Sequence, residues 1–252
     1  AMQSFAPATN RLTAINMAKL DSKTIWLGES GGTVWHTSTA NNGNGAVWVR
    51  TPIPGAPNQQ VNGIAIDPTN VNQVVVVYST GEVFMTMNNG GAWAQINGNL
   101  PISPLNSVVI DPNASPHSII VANDSGVWQT SDYGATWGVL GAGLPTVQCT
   151  SLAIDSSAIP SLLRVGTYGR SAFELDYDRL YVDRQAPVAG QDGTREHPFR
   201  TVRQALNNPA TGGTRYINIL GGDYTESQNN VNNVTINQAC TLNAINGPVT
   251  IH

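Results

Sequence analysis

The chain has 252 residues, of which 40% are hydrophobic and only 11% charged, with a formal net charge of −4. That length accommodates one large or two ordinary domains, and the apolar share suffices for a packed core. An acidic, charge-poor chain lacks the basic stripe that tracks phosphates, which argues against nucleic acid as a partner. No apolar run reaches the roughly 18 residues of a spanning helix, so membrane insertion is not expected. The charge deficit is filled by Asn, Gly, Thr, Ser and Gln, which suits strands and turns. The first residues lack the basic and apolar segments of a signal peptide, and Ala1-Met2 reads as a cloning remnant. Low lysine, sparse cysteine and abundant Asn, Thr and Gly point to a secreted or cell-surface protein. Cys149 and Cys240 read either as two small buried hydrophobes or as a disulfide tying the two halves together.

Residues 1–9 show no periodicity and form an N-terminal arm. From residue 10 the chain repeats. Strands are expected near Leu12–Met17, Thr24–Gly28, Thr33–Thr37 and Ala46–Arg50, then Pro52, Pro54, Gly55 and Pro57 make a rigid crossing. A second set lies near Gly63–Ile66, Gln73–Tyr78, Glu82–Met87 and Ala92–Ile96. A third lies near Ser107–Ile110, Ser118–Ala122, Val127–Thr130 and Thr136–Leu140. A fourth has only Thr150–Ile154, Leu162–Gly166 and Ser171–Leu175. Ile64-Ala65-Ile66-Asp67, Val108-Val109-Ile110-Asp111 and Leu152-Ala153-Ile154-Asp155 stand at a fixed spacing of 44 residues. A period in the forties with several short strands per repeat is the signature of β-propeller blades.

Between the last two strands of the third repeat stands Thr130-Ser131-Asp132-Tyr133-Gly134-Ala135-Thr136-Trp137. Thr86, Asn88, Gly90 and Trp93 match it in the second repeat. A short acceptor side chain followed by a glycine able to take positive φ forms a tight turn. This pattern resembles the Asp-box repeat of sialidases, sortilin-type receptors and xyloglucan-active hydrolases, over residues 10–178. The resemblance implies about four propeller blades, a last blade completed by a strand from the N-terminus, and Asp boxes that lie away from any active site. Gly166-Thr167-Tyr168-Gly169-Arg170-Ser171 resembles the closing blade of such propellers. Six to eight blades are usual, so the chain is expected to be half of a larger ring, to pair with a second copy, or to close as four.

At Asp178 the period stops. A strand at Leu180–Asp183, a turn at Gly190–Thr194, an amphipathic helix over Pro198–Leu206 and a strand at Tyr216–Leu220 follow. After them come a turn at Gly221–Glu226 and strands near Val234–Ile236, Cys240–Asn243 and Val249–Ile251. Phe199, Val202, Ala205 and Leu206 share one helix face. Tyr181-Val182-Asp183, Asp192-Gly193-Thr194, His197-Pro198-Phe199-Arg200-Thr201-Val202 and Gly222-Asp223-Tyr224-Thr225-Glu226 resemble the cap of a pectin-lyase-like right-handed parallel β-helix. Residues 179–252 are therefore expected to hold that cap and its first rungs, continuing beyond His252, because short solenoids leave apolar ends open. The whole is read as an all-β protein.

The recurring Asp67, Asp111 and Asp155 read as caps of the turns that leave their strands. The tryptophans 35, 48, 93, 128 and 137, with Phe84 and Phe173, read as packing between blades. Trp26 has no aromatic counterpart in the other repeats and is a candidate stacking platform. The turns between second and third strands carry Glu29, Tyr78, Asp124, Tyr168 and Arg170, which differ from repeat to repeat and are candidates for ligand binding. No sialidase-like arginine triad, phosphate loop, nucleophile elbow or metal-ligand spacing of His36, His117, His197 and His252 is present. No catalytic, metal or cofactor site is expected, and no carboxylate pair stands out for glycosidase chemistry. The sequence favours a non-catalytic module that binds a polysaccharide or surface protein. A fragment of a glycoside hydrolase or lyase, and a self-assembling component whose copies complete a ring, are the other two readings.

Overall fold

The computed structural model describes residues 10–113, 116–140, 144–157, 161–175, 179–191, 193, 195, 197–207, 215–224 and 240–251. The expected arm at 1–9 and the strand near 234–236 lie outside them.

Residues 12–175 fold into successive antiparallel meanders. The first holds β1 (Leu12–Met17), β2 (Ile25–Glu29), β3 (Val34–Thr37) and β4 (Val49–Thr51). The second holds β5 (Val61–Asp67), β6 (Asn70–Tyr78), β7 (Val83–Thr86) and β8 (Ala94–Gln95). The third holds β9 (Leu105–Asp111), β10 (Ser118–Asn123), β11 (Gly126–Thr130) and β12 (Gly138–Leu140). The fourth has three strands, β13 (Cys149–Asp155), β14 (Leu162–Thr167) and β15 (Ala172–Leu175). Among the described residues the fourth sheet has no outer strand.

The sheets pack face to face, which is why β6 reads as an unbroken run of Val74, Val75, Val76 and Val77: both of its faces are buried. Odd and even residues serve different neighbours. Ile64, Ile66, Val74, Val76, Tyr78 and Phe84 face the first sheet, while Ala65, Val75, Val77 and Met85 face the third. Ile120, Ala122 and Val127 of the third sheet meet Leu163, Val165 and Leu175 of the fourth. The first strands line up in the order β1, β5, β9, β13.

Each first strand carries the same bulge after its opening residue, opposite its second strand. The extra residue is Thr13, Asn62, Asn106 or Thr150. A bulge turns a side chain out of the pleat, and here three of these side chains reach the next sheet. Thr13 Oγ1 donates to Val61 O at 2.7 Å, Asn62 Nδ2 to Leu105 O at 2.7 Å, and Asn106 Nδ2 to Cys149 O at 2.9 Å.

At the opposite edge the recurring aspartates cap turns, as expected. Asp67 Oδ1 accepts from Thr69 N at 2.7 Å, Asp111 Oδ1 from Asn113 N at 3.0 Å, and Asp155 Oδ1 from Ser157 N at 3.0 Å. Two of them also bridge sheets, Asp67 to His117 and Asp111 to Ser161 Oγ. On that edge Asp132 Oδ1 accepts from Thr136 N at 2.9 Å, and Asn88 Oδ1 accepts from Ala92 N at 2.8 Å. Thr130 and Thr86 receive Gly134 N and Gly90 N on their hydroxyls.

Residues from 179 onward form a parallel sheet of β16 (Arg179–Val182), β17 (Arg215–Tyr224) and β18 (Cys240–Ile251), with helix α1 (Val202–Asn207) against it. Leu180, Val182, Ile217 and Ile219 meet Phe199, Val202 and Ala205. The helix starts later than its apolar spacing suggests. Thr201 Oγ1 accepts from Gln204 N at 3.1 Å while Gln204 Oε1 accepts from Thr201 N at 3.0 Å. That reciprocal cap fixes Thr201 outside the helix, and Phe199 bridges Val182 instead. The turn expected at 221–226 is, as far as Tyr224, a continuation of β17 through a bulge. The two strands expected after Cys240 are one, β18, with Asn246 at φ 59° inside it. Cys149 is buried, Cys240 is half-buried, and they are not bonded to each other.

Candidate functional site

The turns that join second to third strands share one edge of the sheets with the segments that cross from sheet to sheet. Three of the four turns are tied to the residue that precedes their own first strand. Ser30 N donates to Arg11 O, Ser79 N to Gln60 O and Tyr168 N to Gln148 O, all at 2.9 Å.

Pairing with the opening residue of the first strand aligns the turns. Leu12 faces Glu29, Val61 faces Tyr78, Leu105 faces Asn123 and Cys149 faces Thr167. Glu29, Tyr78, Asn123 and Thr167 therefore occupy one repeat position, the foot of each turn. Glu29, Tyr78 and Asn123 are fully buried there. The residue after the foot is the tip: Ser30, Ser79, Asp124 and Tyr168.

This corrects three of the expected ligand residues. Glu29 is an internal acceptor, taking Trp35 Nε1 at 3.1 Å on one oxygen and Asn10 Nδ2 at 3.3 Å on the other. Tyr78 lies beneath the first turn, donating to Gly32 O at 3.2 Å with its ring edge against Phe84. Burial, reinforced by the Glu82 carboxylate, pushes its phenol well above the usual range. Trp26 is not an exposed platform but 0% accessible, stacked on His36 at 4.6 Å and edge-on to Trp93 at 5.8 Å. It has no aromatic counterpart because it fills the gap under the second sheet's Gly90 turn: a Cβ at Gly90 would lie 3.0 Å from its ring. Burial also lowers the His36 pKa.

Asp124, Tyr168 and Arg170 are exposed, and the structure gathers the first two. Asp124 Oδ1 accepts from Asn106 Nδ2 at 2.9 Å and from Gln148 Nε2 at 2.7 Å. Gln148 in turn receives the Tyr168 amide through its carbonyl. Tyr168, so joined to this amide–carboxylate group through its backbone, is 74% exposed. Along the same edge, Arg11 Nη2 donates to Gln60 Oε1 at 3.1 Å and Gln60 Nε2 to Asn62 Oδ1 at 2.8 Å. Sequence reasoning missed Asn62, Asn106 and Gln148. The two asparagines recur at the 44-residue period, which is the signal that identifies them.

The four turns differ in cover. A Cβ at Gly32 would lie 2.4 Å from Pro57 O, and one at Gly81 would lie 2.7 Å from Ser103 O, so crossing segments press on the first two turns. Among the described residues nothing lies within 4 Å of a Cβ at Gly126, itself buried, or at the exposed Gly169. Crossing segments thus press on the first two turns, while the tips of the last two, Asp124 and Tyr168, are exposed. An open array of amide, carboxylate and guanidinium groups with one free aromatic face is suited to hydroxyl-rich ligands, through hydrogen bonds and ring stacking. A second concavity, of about 310 Å³, lies in the C-terminal part among Arg184, Val188, Gln191, Arg200, Thr201 and Gln204. Two of its side chains are committed to each other, Gln204 Nε2 donating to Gln191 Oε1 at 2.8 Å. Among the described residues no cluster of three or more His, Cys, Asp or Glu side chains fits a metal ion.

Compared by sequence, the chain matches no family model and no curated protein. Compared by shape, it is similar to the GH74 xyloglucanase of Xanthomonas campestris, with a TM-score of 0.51 and 14% identity, over 69% of this chain and 30% of that one. It is likewise similar to the GH74 enzyme of Niastella koreensis, with a TM-score of 0.50 and 15% identity, over 66% of this chain and 28% of that one. The matched part spans less than a third of those enzymes. At such identity the likeness establishes the fold alone: the chain is all-β and carries a β-propeller fold.

Proposed function

We propose that the chain is a non-catalytic, secreted or cell-surface module that binds a polysaccharide through the open half of its turn edge. The observation that carries this reading is the exposed Tyr168, whose backbone amide is tied to Gln148 of the Asn106–Asp124–Gln148 hydrogen-bonded group. A flat apolar face flanked by amides and a carboxylate complements the C–H face and hydroxyls of a sugar ring. In the same reading the four antiparallel sheets are blades with Asp-box turns at 86–93 and 130–137. Residues 179–252 are the capped start of a right-handed parallel β-helix, which the parallel pairing of β16, β17 and β18 supports. Fusion of these two architectures suits a surface protein that engages extended polymers, an argument from fold analogy.

The test is affinity electrophoresis of the full chain in gels cast with neutral and acidic soluble polysaccharides. Retardation in at least one gel, lost in Tyr168→Ala, is the expected result. Unretarded migration in every gel, with capture by a surface protein at Tyr168, would replace the polysaccharide with a protein ligand. The likeness to GH74 enzymes favours a second reading, a fragment of a glycan-degrading enzyme whose catalytic residues lie largely outside these residues. Release of reducing ends from any retarding polysaccharide would replace the first reading with that one.

A further inference from the structure

We propose that the two outer faces of the row of antiparallel sheets pair with each other between two copies of this chain, closing one ring. The row is open: β1, β5, β9 and β13 pack in sequence, and among the described residues β1 and β13 share no such packing.

Among the described residues the free face of the first sheet is a junction face without a neighbouring sheet. Leu12, Ile15 and Met17 hold the repeat positions of Val61, Ile64 and Ile66, and of Leu105, Val108 and Ile110. In the second and third sheets those positions are at most 7% exposed. In the first they are 44%, 66% and 57% exposed. Contiguous apolar surface of this kind marks an interaction site, and the repeat itself shows what belongs on it: the far face of a preceding sheet.

The fourth sheet supplies such a face. Thr150 occupies the bulge position of Thr13, and the two threonines make the same contact within their own sheets. Thr13 Oγ1 lies 3.2 Å from Gly28 O, and Thr150 Oγ1 lies 3.2 Å from Gly166 O. Thr13 also reaches Val61 O in the next sheet; for Thr150 the corresponding acceptor is Leu12 O of a second copy. Ser151, Ala153 and Gly166 leave room for Ile15, as Ala14 and Gly28 leave room for Val61 and Ile64.

The other edge agrees in charge. Asp67 and Asp111 reach His117 and Ser161, which stand two residues before Ile119 and Leu163. The matching residue of the first sheet, two before Ile25, is Lys23, and it meets Asp155 of the second copy. Arg164 and Glu174 pair at 2.9 Å on the fourth sheet's face, where Val75 and Ile120, and Met85 and Gln129, stand elsewhere. An ion pair covered as a unit makes this junction weaker than the internal ones. Head-to-tail contact closes a ring when the rotation permits. Two copies contribute eight sheets, the upper end of the common range of about four to eight blades, and three copies exceed it.

The experiment is light scattering of the full chain at about 50 μM. The expected mass is that of two chains. Ile15→Asp and Ala153→Arg, both at exposed positions and each checked for an unchanged circular dichroism spectrum, are each expected to run as one chain. Mixing the two variants is expected to restore the two-chain species, because one junction then joins two unaltered faces. A single-chain mass for the unaltered protein would overturn the proposal. So would an Ala153→Arg protein that still pairs while Ile15→Asp does not, because the apolar face would then be pairing with itself.

Discussion

The first two of the turns joining second to third strands and the last two are built from the same repeat, yet they face different surroundings. Over Gly32 and Gly81 a crossing segment lies against the backbone; among the described residues nothing lies within 4 Å of a Cβ at Gly126 or Gly169. The feet Glu29, Tyr78 and Asn123 are buried in both halves, and it is the tips that differ. Glu29 and Tyr78 became parts of the interior, satisfied by Trp35, Asn10 and Gly32, while the tips Asp124 and Tyr168 remained available to solvent. Chemical variety among repeats therefore has two origins, a local packing problem in the first half and an accessible surface in the second. Only the second carries the proposed binding site.

Substitution separates the two. The largest effect is expected at Tyr78→Ala, which empties a buried aromatic site and leaves Gly32 O without its donor. Urea unfolding should report a loss of about 3–5 kcal/mol, and Tyr78→Phe, which removes only the hydroxyl, about 1 kcal/mol. The glycines test cover directly. Gly32 and Gly169 both have positive φ, 84° and 77°. Alanine at Gly169 should cost about 1 kcal/mol of backbone strain, and alanine at Gly32 should cost at least about 2 kcal/mol because the Pro57 carbonyl must also move. Equal costs at the two sites would erase the distinction drawn here.

A subtler contrast lies at the opposite edge, between Asp132 and its counterpart Asn88. Partial burial raises the Asp132 pKa, but hydrogen bonds from the Thr136 side chain and backbone and from Thr130 outweigh it and hold the carboxyl below its usual value. A depressed folded pKa contributes stability above the unfolded value near 3.8, and that stability is lost as pH falls from there through the folded pKa. Thermal midpoints of the unaltered chain should therefore fall more steeply below pH 4 than those of Asp132→Asn. Asn88 already shows that an amide supports this turn, so the two proteins should differ little near neutrality. The smallest stability effect is expected at Tyr168→Ala, within about 0.5 kcal/mol, since the ring has few neighbours to lose. That variant should lose polysaccharide retardation while melting as the unaltered chain does, the reverse of Tyr78→Phe.

The repeat, the strands and the turn chemistry were legible in the sequence because they rest on local patterns. Ile64-Ala65-Ile66-Asp67 states both a doubly buried strand and the cap that ends it. Thr130, Asp132 and Gly134 state their turn without help from distant residues. Tertiary structure decided exposure. Tyr78 and Tyr168 stand near equivalent corners and are both tyrosines. One is the foot of its turn, buried beneath Gly32 of the neighbouring sheet; the other is the exposed tip of its turn. The pairing of Leu12 with Glu29 and of Cys149 with Thr167, which distinguishes foot from tip, depends on a bulge that sequence periodicity does not register. Trp26 was misread for the same reason, since its surroundings come from His36, Trp93 and Gly90 across a sheet junction. A strand's pattern is set by residues one and two apart along the chain. Whether a turn meets solvent is set by chain segments tens of residues away, so only the folded packing could determine it.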